Sequence, residues 1–175
     1  MRRLTYYVAT SADGFIAHAD GSLGGFLMEG PHVADFLDSL AAYDTVLMGR
    51  ATYELGQSMG VLSPYPAMQQ YVFSTQWQTS PHPDVQLVSG DAIAHVHSLK
   101  AAAGGNIWLC GGSRLASSLM AAGLIDNVIL KVNPVLFGQG MRLFAAWEGI
   151  VPLQLTDIHH FDNGVTRLHY QLSKA

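Results

Sequence analysis

Thr45-Val46-Leu47-Met48-Gly49-Arg50-Ala51-Thr52-Tyr53 and Asn106-Ile107-Trp108-Leu109-Cys110-Gly111-Gly112-Ser113-Arg114-Leu115 decide how this chain is read. Each is an apolar, strand-like run that ends in glycine and passes directly into a segment of helical character. A strand that turns into a helix through glycine offers unpaired backbone N–H groups and the positive end of a helix dipole to an anion. Glycine also lets a ligand come close to the backbone. Two such junctions in one small chain fit a dinucleotide or another polyphosphate lying across several strand ends.

Outward from these junctions the pattern alternates. Thr5 to Ala9 reads as a buried strand, followed by the turn Ser11-Ala12-Asp13-Gly14 and the short extended piece Phe15-Ile16-Ala17. His18 to Gly30 contains Gly21, Gly24, Gly25 and Gly30 and reads as a mobile loop beside the first strand's end. Pro31 opens a helix to about Ala42, with Val33, Phe36, Leu37 and Leu40 as its inward face. After the first junction the helix runs to about Ser58, and Tyr71 to Ser74 and Val85 to Val88 read as strands. Asp91 caps a helix to about Ala103, and the helix after the second junction ends at Gly123. Asp126 to Val132 is the last strand of this alternating portion. Leu153 to Ile158 and Val165 to Leu172 then alternate apolar with polar residues around Asn163-Gly164, a hairpin signal. Strands alternating with helices imply a mostly parallel α/β sheet, to which the hairpin adds antiparallel strands at one edge.

The whole chain limits the function. At 175 residues it reads as one domain, 1–175, with a sizeable core. Charged residues make up 13% and the formal net charge is −4, which argues against nucleic acid as a partner, and no Lys/Arg run reverses that. No stretch approaches the roughly 18 apolar residues of a membrane helix, and the amino terminus lacks the pattern of a signal peptide. One cysteine, Cys110, excludes an intrachain disulfide and a thiolate metal cluster, so a cytoplasmic protein is expected. His95 and His97, and likewise His159 and His160, project in different directions, so no metal site is expected.

Six pieces carry a resemblance. They are Ser11-Ala12-Asp13-Gly14-Phe15-Ile16-Ala17, Val46 to Tyr53, Tyr71-Val72-Phe73-Ser74, Ile107 to Ser113, Gly123-Leu124-Ile125-Asp126, and Asn133 to Gly140 with Leu143-Phe144. In this order they resemble the dihydrofolate reductase superfamily, and within it bacterial proteins similar to the C-terminal reductase domain of riboflavin biosynthesis (RibD). The resemblance implies a three-layer α/β/α fold with a mostly parallel eight- or nine-stranded sheet and NADPH across the strand ends. It implies that Gly49, Arg50 and Thr52 cradle phosphates and that Ser74 and Thr75 sit beside the adenosine ribose. Gly111, Gly112, Ser113, Arg114 and Leu115 would meet the pyrophosphate and nicotinamide ribose, with Ile16 and the Gly21–Gly25 loop bordering the nicotinamide.

Two departures qualify this. Many relatives carry arginine after the serine matching Ser74, where this chain has Thr75, so NADH stands as an alternative to NADPH. Folate-reducing members carry an acidic residue early in the first helix, where this chain places His32 or Val33, with Glu29 and Asp35 nearby. His32 and Asp35 are therefore the candidate proton donors. Phe36 and Tyr53, on helices bordering the cleft, are candidate pocket walls, and Asp13 is either a substrate ligand or a turn residue before Gly14. The expected function is NADPH-dependent reduction of a small pterin- or pyrimidine-like heterocycle, resembling dihydrofolate reductase or 5-amino-6-(5-phosphoribosylamino)uracil reductase. The alternative is a nucleotide-binding protein without turnover. A homodimer is expected, covering Val135-Leu136-Phe137 and the carboxy-terminal strands.

Overall fold

The computed structural model describes residues 1–173, so the last two positions of the expected domain lie outside the described residues. The strands are β1 Leu4–Ser11, β2 Phe15–Ala17, β3 Tyr43–Gly49, β4 Gln69–Phe73, β5 Val85–Val88, β6 Asn106–Gly111, β7 Asn127–Asn133, β8 Met141–Arg142, β9 Leu153–His160 and β10 Thr166–Leu172. The helices are α1 Pro31–Ser39, α2 Arg50–Ser58, α3 Ala92–Ala101 and α4 Ser113–Ala121. Eight strands form one sheet in the order β5-β4-β3-β6-β1-β7-β10-β9, and β2 pairs with β8 in a separate ribbon. The pairings from β5 to β7 are parallel, and the β7–β10 and β10–β9 pairings are antiparallel.

Alternation along the strands builds two cores. On one face Tyr7, Val46, Met48, Val72, Trp108 and Ile129 pack under Phe36 and Leu40 of the α1 segment and Tyr53 of α2. On the other, Tyr6, Leu47, Phe73 and Leu109 pack under Val96 of α3 and Leu115, Ala116 and Leu119 of α4. This is the expected three-layer sandwich. The half-buried pair Arg2–Asp44 and the buried pair Lys100–Asp126 gather charge at the amino-terminal ends of the strands, away from the glycine junctions.

Local signals explain most boundaries. Asp91 accepts hydrogen bonds from the N–H groups of Ile93 and Ala94 at 2.9 and 3.1 Å and caps α3. Gly123, at φ +65°, ends α4 as Leu124 N–H donates to Leu119 O and Gly123 N–H to Met120 O.

Four expectations need correction. The helix from Pro31 stops at Ser39 and tightens into a 3-10 turn over Leu40–Ala42. Its inward stripe is His32, Phe36 and Leu40, which leaves Leu37 58% exposed. The hairpin connection spans residues 161–165 and contains Asn163-Gly164, with the Asn163 amide 2.8 Å from His32 Nδ1. The His18–Gly30 segment is pinned, since His18 and Phe26 both stack on Phe137 with centroids 4.0 and 4.9 Å apart. Phe137 is thus spent inside the chain and Leu136, 74% exposed, is not. No helix among the described residues is long and apolar enough to cross a membrane.

Candidate active site

The chain direction creates a crevice between β3 and β6. From β3 the chain passes through α2 toward β4, on one face of the sheet. From β6 it passes through α4 toward β7, on the other face. Adjacent strands whose connections leave in opposite directions open a crevice at their carboxyl ends, the usual ligand seat of such sheets.

Here the two glycine junctions meet. A Cβ on Gly49 would stand 3.2 Å from Gly112 Cα, and one on Gly112 would stand 3.1 Å from Gly49 Cα. Gly112 also has φ +106°, a conformation that side chains resist. A Cβ on Gly111 would come within 3.1 Å of Thr52 Oγ1. No side chain caps α2 or α4, whereas Asp91 caps α3. Two helix starts without side-chain caps therefore lie side by side.

The charged groups nearby suit an anion. Arg114 is exposed and makes no ion pair among the described residues. Arg50 Nη1 lies 2.6 Å from Glu54 Oε1 in a half-buried surface i,i+4 pair, of a kind that contributes only about 0.3–0.5 kcal/mol and is easily exchanged. Ser113 and Thr52 are half-buried beside the junctions, while Leu115 is buried and can offer only its backbone. Ser74 is buried and its Oγ accepts from the N–H groups of Gln76 and Trp77, both at 3.2 Å, whereas Thr75 is exposed. Ser74 N–H donates to Val88 O, next to an open concavity of about 510 Å³ lined by Val88, Ser89, Gly90 and His95. Ile16 is half-buried in β2.

Both proposed proton donors are engaged elsewhere. His32 is fully buried, with Nε2 2.8 Å from Leu27 O and Nδ1 2.8 Å from the Asn163 amide, so both ring nitrogens are occupied. Asp35 receives Arg167 Nη1 on both oxygens, at 2.6 and 2.5 Å, and Arg167 also reaches Asp157 at 2.9 Å. Tyr53 is buried and donates its hydroxyl to Leu62 O at 2.5 Å, making it a core residue rather than a pocket wall. Asp13 accepts from the Ser11 hydroxyl at 2.6 Å and from the N–H groups of Phe137 and Gly138 at 3.1 and 2.7 Å. Those bonds, the Ser11 hydroxyl foremost, hold its carboxyl down at about 2 and make it a tie between two loops.

Phe36 is half-buried on α1. Its ring meets Tyr7 and Trp108 edge-on at 5.2 and 5.5 Å, and Lys131 Nζ lies 4.4 Å from its centroid. Lys131 was not singled out in the sequence, although a lysine inside Val128-Ile129-Leu130-Lys131-Val132 is a visible break in an apolar strand. Cys110 Sγ lies 3.8 Å from Tyr65 Oη, and burial pushes its thiol up to about 11.

The pattern of the RibD C-terminal domain family matches the chain over residues 2–167. The chain belongs to that family. It is 34% identical over 170 residues to the uncharacterized protein YwjB of Bacillus subtilis (strain 168), covering 97% of each chain. Its fold is similar to a candidate riboflavin biosynthesis protein from Shewanella sp. PV-4, with TM-score 0.84, 24% identity, and 99% and 100% of the two chains covered. It is also similar to dihydrofolate reductase from Enterococcus faecalis, solved with NADP(H) and RAB-propyl, with TM-score 0.73, 18% identity, and 98% and 97% covered. The fold is thus that of the dihydrofolate reductase and RibD reductases.

Proposed function

We propose that the protein is a cytoplasmic reductase that uses NADPH, with NADH as the alternative donor, to reduce a small pterin- or pyrimidine-like heterocycle. One observation carries this reading. Two helix starts without side-chain caps meet at the β3–β6 crevice through glycines that pack backbone against backbone. A diphosphate suits such donors, because their N–H groups need an acceptor and their dipoles favour negative charge. Gly49, Thr52, Gly111, Gly112, Ser113 and the Leu115 backbone would hold it, with Arg50 and Arg114 adding positive charge. The Ser74–Thr75 corner and its neighbouring concavity would take the adenosine end. When bound, a reduced nicotinamide supplies hydride. The chain's own share is to orient the ring against α1, with Phe36 as a wall, and to keep water from it.

The test is stabilisation by ligand. Excess NADPH or NADH at 100 times its Kd should add roughly 2.7 kcal/mol. No rise in melting temperature with either would overturn the reading. A second reading is favoured by the engagement of His32 and Asp35 in internal bonds: a nucleotide-binding protein without turnover. NADPH binding with no oxidation across pterins, pyrimidines, quinones and nitro compounds would establish it.

We also infer a homodimer through the outer strands. A bulge at Thr156 in the β9–β10 ladder puts Leu153, Leu155 and Ile158 on one face, opposite Leu172, Tyr170 and Leu168. Those three β9 side chains belong to residues 46–60% exposed, on an edge strand that no helix covers.

A further inference from the structure

We propose that Lys131 is the specificity residue of this cleft, binding an oxo or ionised oxygen of the substrate ring through its ammonium group. The proposal rests on the reductase reading of the same cleft.

Position is the first argument. Lys131 sits in β7 two residues before the strand ends, in register with Ala9 of β1 on one side and Arg167 of β10 on the other. It shares its face with Tyr7 and Ile129, the face that α1 covers. The ammonium lies over the Phe36 ring, which is the wall of the substrate cleft.

Its lack of an acceptor is the second. Among the described residues five cations are not exposed: Arg2, Arg50, Lys100, Lys131 and Arg167. Arg2 is paired with Asp44, Arg50 with Glu54, Lys100 with Asp126, and Arg167 with Asp35 and Asp157. Lys131 alone has neither a hydrogen bond nor an ion pair, and only an aromatic face answers its three donors. Half-buried donors without acceptors are costly, and the vacancy is met when a ligand brings the acceptor.

Charge sign is the third. Asp35 is the carboxylate that acts on Lys131 among the described residues, and both its oxygens are held by Arg167, so a ligand acceptor can take the ammonium without displacing a hydrogen bond. A ring carrying negative or strongly accepting oxygen fits this arrangement, and a protonated ring does not. The groups facing Lys131 are Asp35 from α1, Arg167 from β10 and Tyr7 from β1. Burial lowers the Lys131 pKa from its ordinary value while Asp35 opposes the change, and burial raises Tyr7 to about 12.

The test compares two ring probes of opposite charge, the barbiturate anion and 2,4-diaminopyrimidine, by ligand-observed NMR with and without NADPH. Wild type is expected to prefer barbiturate at least tenfold. K131M, or K131Q should K131M not fold, is expected to lose at least tenfold in barbiturate affinity, and K131R to recover most of it. NADPH affinity by fluorescence should change less than twofold. Barbiturate binding to wild type should weaken as pH rises through the Lys131 titration while Tyr7 stays protonated, and K131M should show no such slope. Equal affinities for the two probes, no barbiturate binding, or an unchanged K131M would overturn the proposal. Absence of NADPH binding with Lys131-dependent barbiturate binding intact would instead overturn the reductase reading alone.

Discussion

Replacing Gly112 by alanine puts the β3–β6 crevice under direct test. The new methyl group must tolerate φ +106° and would stand 3.1 and 3.2 Å from the Cα and N atoms of Gly49. A side chain held in such a backbone region costs about 1–3 kcal/mol. The clash adds about 1–3 kcal/mol more, because the opposing atoms are backbone and cannot rotate aside. A loss of about 4 kcal/mol follows, and a chain of this length melts roughly 2–4 °C lower per kcal/mol, or about 8–16 °C in all. Gly123→Ala is the internal control. Gly123 also has a positive φ, +65°, but nothing lies within 4 Å of where its Cβ would be, so only the conformational cost of roughly 1–2 kcal/mol applies. Thermal and urea denaturation of both variants, with NADPH titration of each, separate the two effects. G112A should also lose about tenfold or more in cofactor affinity, equivalent to about 1.4 kcal/mol, while G123A keeps it. If G112A melts with G123A and binds as G123A does, the junctions do not touch and the crevice argument fails.

Three further outcomes are expected. H32A should destabilise the fold by about 2–4 kcal/mol in urea, since it leaves a cavity and strips Leu27 O and the Asn163 amide of their partner; a near-neutral effect would return His32 to the list of available proton donors. Asp13 is held at about 2, below its ordinary 3.8, so its stabilisation is present above pH 4 and fades as pH falls toward 2. Melting curves of D13N should therefore lie below wild type at pH 6 and converge with it near pH 2, and a constant gap would contradict the assignment. Light scattering at micromolar concentration should give a dimer that I158K converts to a monomer, and a monomeric wild type would remove the β9–β10 interface.

Most of the fold was legible because its signals are local. Alternation in β10, the Asp91 cap and the Gly123 stop each act within a few residues, and each appears where the sequence puts it. Misreadings arose where a distant partner intervened. The inward stripe of α1 turned toward His32 because Asn163, 131 residues away, holds that ring. The glycine-rich loop was read as mobile because nothing within it shows that Phe137 will stack on His18 and Phe26. In β9 a single bulged residue brings Leu153, Leu155 and Ile158 to one face, although strict alternation would separate Ile158 from the other two.

The site divides in the same way, and the division bears on the chemistry. Backbone donors at a helix start are fixed by chain geometry alone, so the two glycine junctions could be read from their strand–glycine–helix pattern. Side chains that carry charge can serve a ligand only if no partner has already claimed them, and partners are set by tertiary pairing. Asp35 and His32 matched the helix position but are bound to Arg167, Leu27 and Asn163, whereas Lys131 interrupts an apolar strand and is left without an acceptor. On the proposed reductase reading, a proton for the ring would come from Lys131, from water admitted beside it, or from breaking the Asp35–Arg167 pair. The last route is the costliest, since it would expose two half-buried opposite charges at once.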